Sequence, residues 1–323
     1  MSNPERLNAM CVTVRAPARL HLGFLDLNGG LGRRFGSIGL ALDGLGTQLT
    51  MRSAPEMGVD GPDAERARTC IATMQHALGV GGSYHATIEA AVPPHAGLGS
   101  GTQMALAVAA ALRRLNGLPL DPAADAVRLG RGQRSGIGIA AFQVGGLVVD
   151  GGRGANTQAP PLISRIAFPA SWRVIVLLDP GRQGVHGAAE TSAFARLQEF
   201  PSQQAAHLCR LMLMQVLPAA AEHDIAAFGS GVSELQTVIG DYFAPVQGAR
   251  FTSPKVRAVL AHLDAHGAHG IGQSSWGPTG FAFAATPQEA ERLAAIARAH
   301  QSGRALDIRV CAALNRGADI TAV

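Results

Sequence analysis

Lysine is all but missing from this chain: of its 27 Lys and Arg residues only Lys255 is lysine. The positive side of the formal net charge of +4 is therefore carried by guanidinium groups, whose fixed fork of donors matches phosphate and carboxylate. Charge of either sign is sparse, at 15% of residues, and no basic run is interleaved with aromatics. That pattern excludes a nucleic-acid partner and favours small anionic ligands. Cysteine is scarce as well. Cys11, Cys70, Cys209 and Cys311 stand far apart and form no CxxC pair, so neither a disulfide framework nor a zinc site is expected. No stretch reaches the roughly 20 uninterrupted apolar residues of a membrane span. The opening MSNPERLNAM has no charged segment followed by an apolar one, so the expected compartment is the cytoplasm, with no membrane partner.

Apolar residues make up 47% of the 323 positions, enough for a sizeable core and too much chain for one small domain. Two lobes are expected, residues 1–165 and 166–323, with the boundary in the stretch that holds Pro160, Pro161 and Pro169. Alternating apolar positions predict strand, turn and strand over 11–24, an antiparallel pair over 37–44 and 47–53, and further strands over 83–92, 145–152, 173–180 and 305–314. Helical spacing predicts helices over 63–78, 103–115, 122–130, 202–217, 219–229, 254–266 and 287–300. The class is α+β with mixed sheets.

The sharpest local signal is PPHAGLGSGTQ, residues 93–103, between a predicted strand and a predicted helix. Glycines at 97, 99 and 101 let the backbone approach a ligand, and the N–H groups at the helix start favour an anion. Gly97, Leu98, Gly99, Ser100, Gly101 and Thr102 form the candidate phosphate-binding loop, and the hydroxyls of Ser100 and Thr102 are candidate contacts to phosphate oxygen or magnesium.

This loop resembles the GLGSS phosphate loop of the GHMP kinase superfamily. PARLHLGFLDL, residues 17–27, resembles the N-terminal motif of that superfamily, and GIGQSSWGPTGFAF, residues 270–283, its C-terminal glycine motif. The resemblance implies a two-lobed GHMP kinase-like fold: a ribosomal protein S5 domain 2-like N-terminal lobe and a ferredoxin-like C-terminal lobe. The kinases carry a catalytic Asp in a segment resembling SGxDxxxxxxGG. The corresponding segment here is SGIGIAAFQVGG, residues 135–146, with Gly138 in the Asp position, and the second Ser of the loop is Gly101. Glycine neither accepts a proton nor orients a hydroxyl, which argues for another reaction on the same scaffold.

The stretch ARLHLGFLDLNGGLGRRFGSIGLAL, residues 18–42, and DPGRQGVHGAAE, residues 179–190, resemble the β-ribofuranosylaminobenzene 5′-phosphate synthases. The resemblance implies transfer of the ribosyl 5-phosphate of phosphoribosyl pyrophosphate to 4-hydroxybenzoate or 4-aminobenzoate, with loss of CO2 and pyrophosphate. It also implies Mg2+ without ATP, a place in tetrahydromethanopterin biosynthesis, and a homodimer. Asp26 is then a candidate for binding magnesium or the ribose hydroxyls, or for deprotonating the ring substituent, with a turn-capping Asp as the plain alternative. Arg33 and Arg34 are candidates for gripping phosphate or the benzoate carboxylate, or are a solvated pair. His21, Arg134, His186, Glu190, Ser274, Ser275 and Trp276 are candidate substrate contacts, with His21 alternatively a core histidine and Trp276 a packing residue. Arg131 and Arg134 stand just before the altered SGIG segment, where each is a candidate to neutralise pyrophosphate in place of the missing Asp or, equally, a solvated surface residue.

Overall fold

The computed structural model describes residues 11–185 and 187–323. Its framework is a pair of long antiparallel strands, β1 (Cys11–Asp26) and β2 (Phe35–Ala54). Along the first half of β1 the alternation Val12, Val14, Ala16 buries one face, and from Ala18 to Leu25 all but Arg19 are buried. The turn expected within 11–24 and the hairpin expected between 37–44 and 47–53 do not form. Pro17 pairs with Gly46 and Ala18 with Leu42, so Asp43, Gly44 and Leu45 swell out as a bulge while β2 continues. A continuous partner in β1 outweighs the local turn signal of the glycines.

The first sheet is extended by β3 (Gly58–Asp60) and β4 (Ser83–Ala90) on either side of α1 (Ala64–Leu78). The helix α2 (Ser100–Leu115) is rich in Ala and Leu and is buried along nearly its whole length. With α1 it packs Met104, Val108, Leu112 and Ile71 against Val12, Val14, Leu49 and Met51 of the sheet. Then follow α3 (Pro122–Arg128), α4 (Ile137–Gln143), β5 (Leu147–Asp150) and β6 (Leu162–Ile166), with β5 paired to both β2 and β6.

The second sheet has the order β10-β7-β9-β8, from β7 (Arg173–Leu178), β8 (His269–Gln273), β9 (Gly280–Ala284) and β10 (Asp307–Cys311). Before β8 the chain runs through α5 (Gly187–Arg196), α6 (Ser202–Leu211), a π turn over Met212–Val216, α7 (Leu217–Glu222), α8 (Ile225–Gln247) and α9 (Pro254–Asp264). After β9 comes α10 (Pro287–Ala299). The helix expected to stop at 229 runs on to 247 as α8. Its Gly229 marks a close approach to the sheet instead of an end: a Cβ there would stand 2.7 Å from the Cβ of His269.

One core joins Leu20, Leu22, Ile38 and Leu40 of the first sheet to Val174, Val176, Phe281 and Phe283 of the second, with Phe228, Val232 and Leu235 of α8 between them. On the far face of the second sheet, α9 and α10 close over Ile175, Leu177 and Ala282. A last strand, β11 (Asp319–Ala322), returns to pair with β1. Among the described residues no helix is long and apolar enough to cross a membrane.

Candidate active site

The three segments singled out by their sequence meet at Gly97. Arg19 of β1 donates from its backbone to the carbonyl of Leu98 (3.0 Å) and from Nη1 to the carbonyl of Gly97 (2.7 Å). Ser274 Oγ donates to the same carbonyl (2.6 Å) and accepts the backbone N–H of His21 (2.9 Å). Gly97 has φ of 78°, and a Cβ there would lie 2.3 Å from the carbonyl oxygen of Ser274, so only glycine fits. Gly99, at φ of 81°, leaves the space that the Arg19 side chain fills. The loop thus delivers Ser100 and Thr102 to the first turn of α2, where both line a cavity of about 360 Å³ over the loop and Thr102 also lines the adjoining cleft of about 660 Å³.

Cations dominate the walls. Arg19, Arg66, Arg131 and Arg134 line the cleft, and the carboxylate among its lining residues is Glu190. Burial pushes the Arg19 guanidinium down to about 10, with Glu190 pulling the other way. Burial also lowers Arg131, whose Nε has no hydrogen-bond partner. Glu190 is held on both oxygens: Arg134 Nη1 lies 3.0 Å from Oε2, and Trp276 Nε1 donates to Oε1 at 3.0 Å. Arg134 also lies over the ring of Phe194, 4.9 Å from its centroid. Glu190, Arg134 and Trp276 thus form one unit, with Ser275 beside them at φ of 56°.

One wall is aromatic. His21, Phe24 and Phe35 line it, with ring centroids 4.5 Å apart for His21 and Phe24 and 5.8 Å for Phe24 and Phe35. His21 is 3% exposed and its Nε2 is unpartnered. Burial, with Arg19 as a lesser cause, pushes its pKa down to about 3, so the imidazole is neutral at physiological pH. Phe35 adopts φ of 80°, a strained conformation for a bulky residue, at the point where the chain enters β2 beside the cleft.

Asp26, Arg33 and Arg34 do not line this cleft. Asp26 Oδ1 accepts the backbone N–H groups of Asn28 and Gly29, each at 2.9 Å, which is the capping of its own turn. Arg33 is exposed and donates to the carbonyls of Gly151 (2.8 Å) and Gly152 (3.0 Å), while Arg34 donates to that of Leu27 (2.9 Å). The three residues hold the β1 to β2 turn and dock it on the end of β5. His186 lies outside the described residues. Among those described, no group of three or more His, Cys, Asp or Glu side chains is placed to hold a metal ion.

Sequence reasoning passed over Asp150. It is 2% exposed and accepts Ser37 Oγ (2.5 Å), Ser135 Oγ (3.3 Å) and the N–H of Gly136 (2.9 Å) and Gly152 (2.8 Å). Burial raises its pKa against the pull of those donors. It fixes Ser135, at the rim of the cleft, and the entry to α4. Gly138 lies one residue into that helix, where a Cβ would meet the Thr102 Cγ2 at 3.0 Å and where its carbonyl accepts Gln103 Nε2 (2.9 Å). At this position close helix packing stands where a kinase would hold its carboxylate.

The descriptions "GHMP kinases N terminal domain" and "GHMP kinases C terminal" fit residues 65–146 and 216–303. A homoserine kinase from Cytophaga hutchinsonii superposes with a TM-score of 0.66 at 16% identity, over 99% of both chains. A mevalonate diphosphate decarboxylase from Staphylococcus aureus does so with 0.68 at 12% identity, over 97% of this chain and 98% of that one. These likenesses define the fold, a GHMP kinase framework of two lobes. Sequence defines more. β-Ribofuranosylphenol 5′-phosphate synthase of Methanothermobacter thermautotrophicus is 32% identical over 94% of this chain and 97% of its own. The enzyme of the same name from Archaeoglobus fulgidus is 32% identical over 95% and 98%. The chain belongs to the β-ribofuranosylphenol 5′-phosphate synthase family.

Proposed function

We propose that this protein is a decarboxylating phosphoribosyltransferase that joins phosphoribosyl pyrophosphate to 4-hydroxybenzoate, with release of CO2 and pyrophosphate, as a step of tetrahydromethanopterin biosynthesis. The relatives are named for a ribofuranosylphenol, and a phenol follows from the hydroxy acid, whereas 4-aminobenzoate would leave an aniline. The observation that carries the reading is the charge around the phosphate loop. Arg19, Arg66 and Arg131 face it, and at Gly138 there is no carboxylate to take a proton from an attacking alcohol.

In this reaction the bond from ribose C1 to the diphosphate oxygen breaks and its electron pair leaves with the diphosphate. The ring carbon that bears the carboxylate forms the new bond to C1, and the pair from the carboxylate bond restores the aromatic ring as CO2 departs. Negative charge grows on the leaving group, where guanidinium groups and the N–H donors at the start of α2 stabilise it most. The aromatic wall of Phe24 and Phe35 suits the acceptor ring, with His21 Nε2 as the hydrogen-bonding atom within that wall. Glu190, braced by Arg134 and Trp276, is the acidic group that a sugar in this cleft meets.

The hydroxyls of Ser100 and Thr102 are hard oxygen donors that suit a magnesium ion arriving on the diphosphate, since magnesium keeps water and substrate phosphate among its ligands. Bound there, the ion would neutralise diphosphate charge. Asp26 is occupied in its turn and is not part of this set.

The test is an assay of purified protein with phosphoribosyl pyrophosphate, Mg2+ and carboxyl-labelled 4-hydroxybenzoate, without ATP. Labelled CO2 released in step with pyrophosphate is the expected result. No release, together with ATP-dependent phosphorylation of a small alcohol, would return the protein to the kinases.

A further inference from the structure

Gly101 is the loop glycine whose backbone asks for nothing special. Gly97 and Gly99 need positive φ, whereas Gly101 sits in the first turn of α2 in a conformation open to any residue, and glycine is among the poorest helix formers. What it provides is room. A Cβ at 101 would stand 2.9 Å from Arg131 Nη1 and 3.3 Å from Cζ, against a guanidinium packed over the start of the helix. Arg131 reaches there from the loop after α3 and lines the cavity on both sides of Thr102. Its Nε is buried without a partner, an unpaired donor that an anionic ligand would satisfy.

The neighbouring residues explain why the guanidinium is wanted at that spot. Thr102, next to Gly101, packs against Gly138, so no acidic side chain approaches the loop from α4. The positive end of α2, Arg131 and Arg66, the latter paired with Asp63 at 2.9 Å, converge on a volume whose lining carboxylate is Glu190. Resting on the phosphoribosyl transfer proposed above, we infer that Gly101 and Arg131 act as one device: the missing side chain seats the guanidinium on the phosphate loop, where it binds the diphosphate leaving group.

The pair makes a non-additive prediction. Arg131→Ala removes the guanidinium, and Gly101→Ser leaves it in the chain but displaces it from its seat. Each single variant should weaken binding of magnesium pyrophosphate by at least about tenfold in titration calorimetry. The double variant should bind no more weakly than Arg131→Ala alone, since the serine has nothing left to displace. Arg131→Lys keeps the charge without the fork and should fall between wild type and Arg131→Ala. Circular dichroism of each variant confirms that the fold is intact. Binding unchanged in Arg131→Ala, or a Gly101→Ser effect that persists in full without Arg131, would overturn the inference. The failure of the functional reading looks different: wild-type protein binds pyrophosphate with the predicted variant pattern and yet releases no CO2 in the assay.

Discussion

Arginine is used in two opposite ways in the first lobe. On the outer side of α2, Arg113 is 8% exposed and bidentate to Asp125, with 2.6 and 2.7 Å contacts, and Arg128 adds a third contact to the same carboxylate. At the inner end of the same helix, burial lowers the pKa of both Arg131 and Arg19, and neither has a carboxylate within ion-pair distance among the described residues. The first cluster is complete in itself and needs nothing from solution. The second carries desolvated positive charge that Glu190 and Asp63 offset from beyond ion-pair distance, and the difference separates a structural ion pair from a binding site more sharply than exposure or residue type does.

Breaking the complete cluster should have the largest effect on stability. Arg113→Ala strands the Asp125 carboxylate in the interior and should cost about 3–5 kcal/mol in denaturant unfolding, with acceptor and pyrophosphate affinities unchanged in the protein that remains folded. Arg131→Ala should show the reverse, with pyrophosphate binding weakened at least about tenfold and stability nearly kept. If Arg113→Ala lowered pyrophosphate affinity at full stability, the distinction would collapse.

A second effect, of intermediate size, comes from His21, the neutral member of the cleft. Its folded-state pKa of about 3 lies below the ordinary 6.5, so the unfolded chain binds the proton first. The stability that depends on the neutral ring is therefore complete above pH 6.5 and is lost as the pH falls toward 3. Between pH 6.5 and 5 the loss should be about 2 kcal/mol. His21→Asn should remove that part of the pH dependence, as measured by urea unfolding at the two pH values. The smallest effect belongs to the surface. Arg250 and Asp241 make two 2.8 Å contacts but stay about half exposed, and Asp241→Asn should cost less than about 1 kcal/mol, shrinking further in high salt.

Much of this was legible in the sequence, for physical reasons that differ by residue. Gly97 and Ser274 lie 177 positions apart, yet each sits in a glycine-rich segment whose spacing belongs to one fold, and the structure joins them by a hydrogen bond. Arg134, Glu190 and Trp276 were each singled out from separate segments and prove to be one connected group. Asp26 and Arg33 were legible as distinctive residues but not as to place. A short polar residue before Asn and Gly looks the same whether it caps a turn or faces a substrate, and here its contacts are those of the cap. Arg19 and Arg66 were missed because nothing local marks them: one is the polar position of an alternating strand and the other a first-turn residue of an ordinary surface helix. The extent of β2 and α8 was hidden for a related reason. Glycines 46, 229 and 231 signal breaks when read along the chain, and only the partner strand or helix shows that they mark close contact instead, while Gly44 takes a φ of 77° in the open bulge.

Cys11 and Val323 exchange a pair of backbone hydrogen bonds, 3.0 and 2.9 Å, where β11 closes the edge of β1. A growing polypeptide therefore makes the first strand of this sheet early and receives its flanking strand only when residue 319 and beyond have been added. Until then β1 carries an open row of donors and acceptors of the kind that recruits strands from other molecules. The window of risk for misassembly thus lasts from the making of β1 to the making of β11, and it is a four-residue strand that closes it.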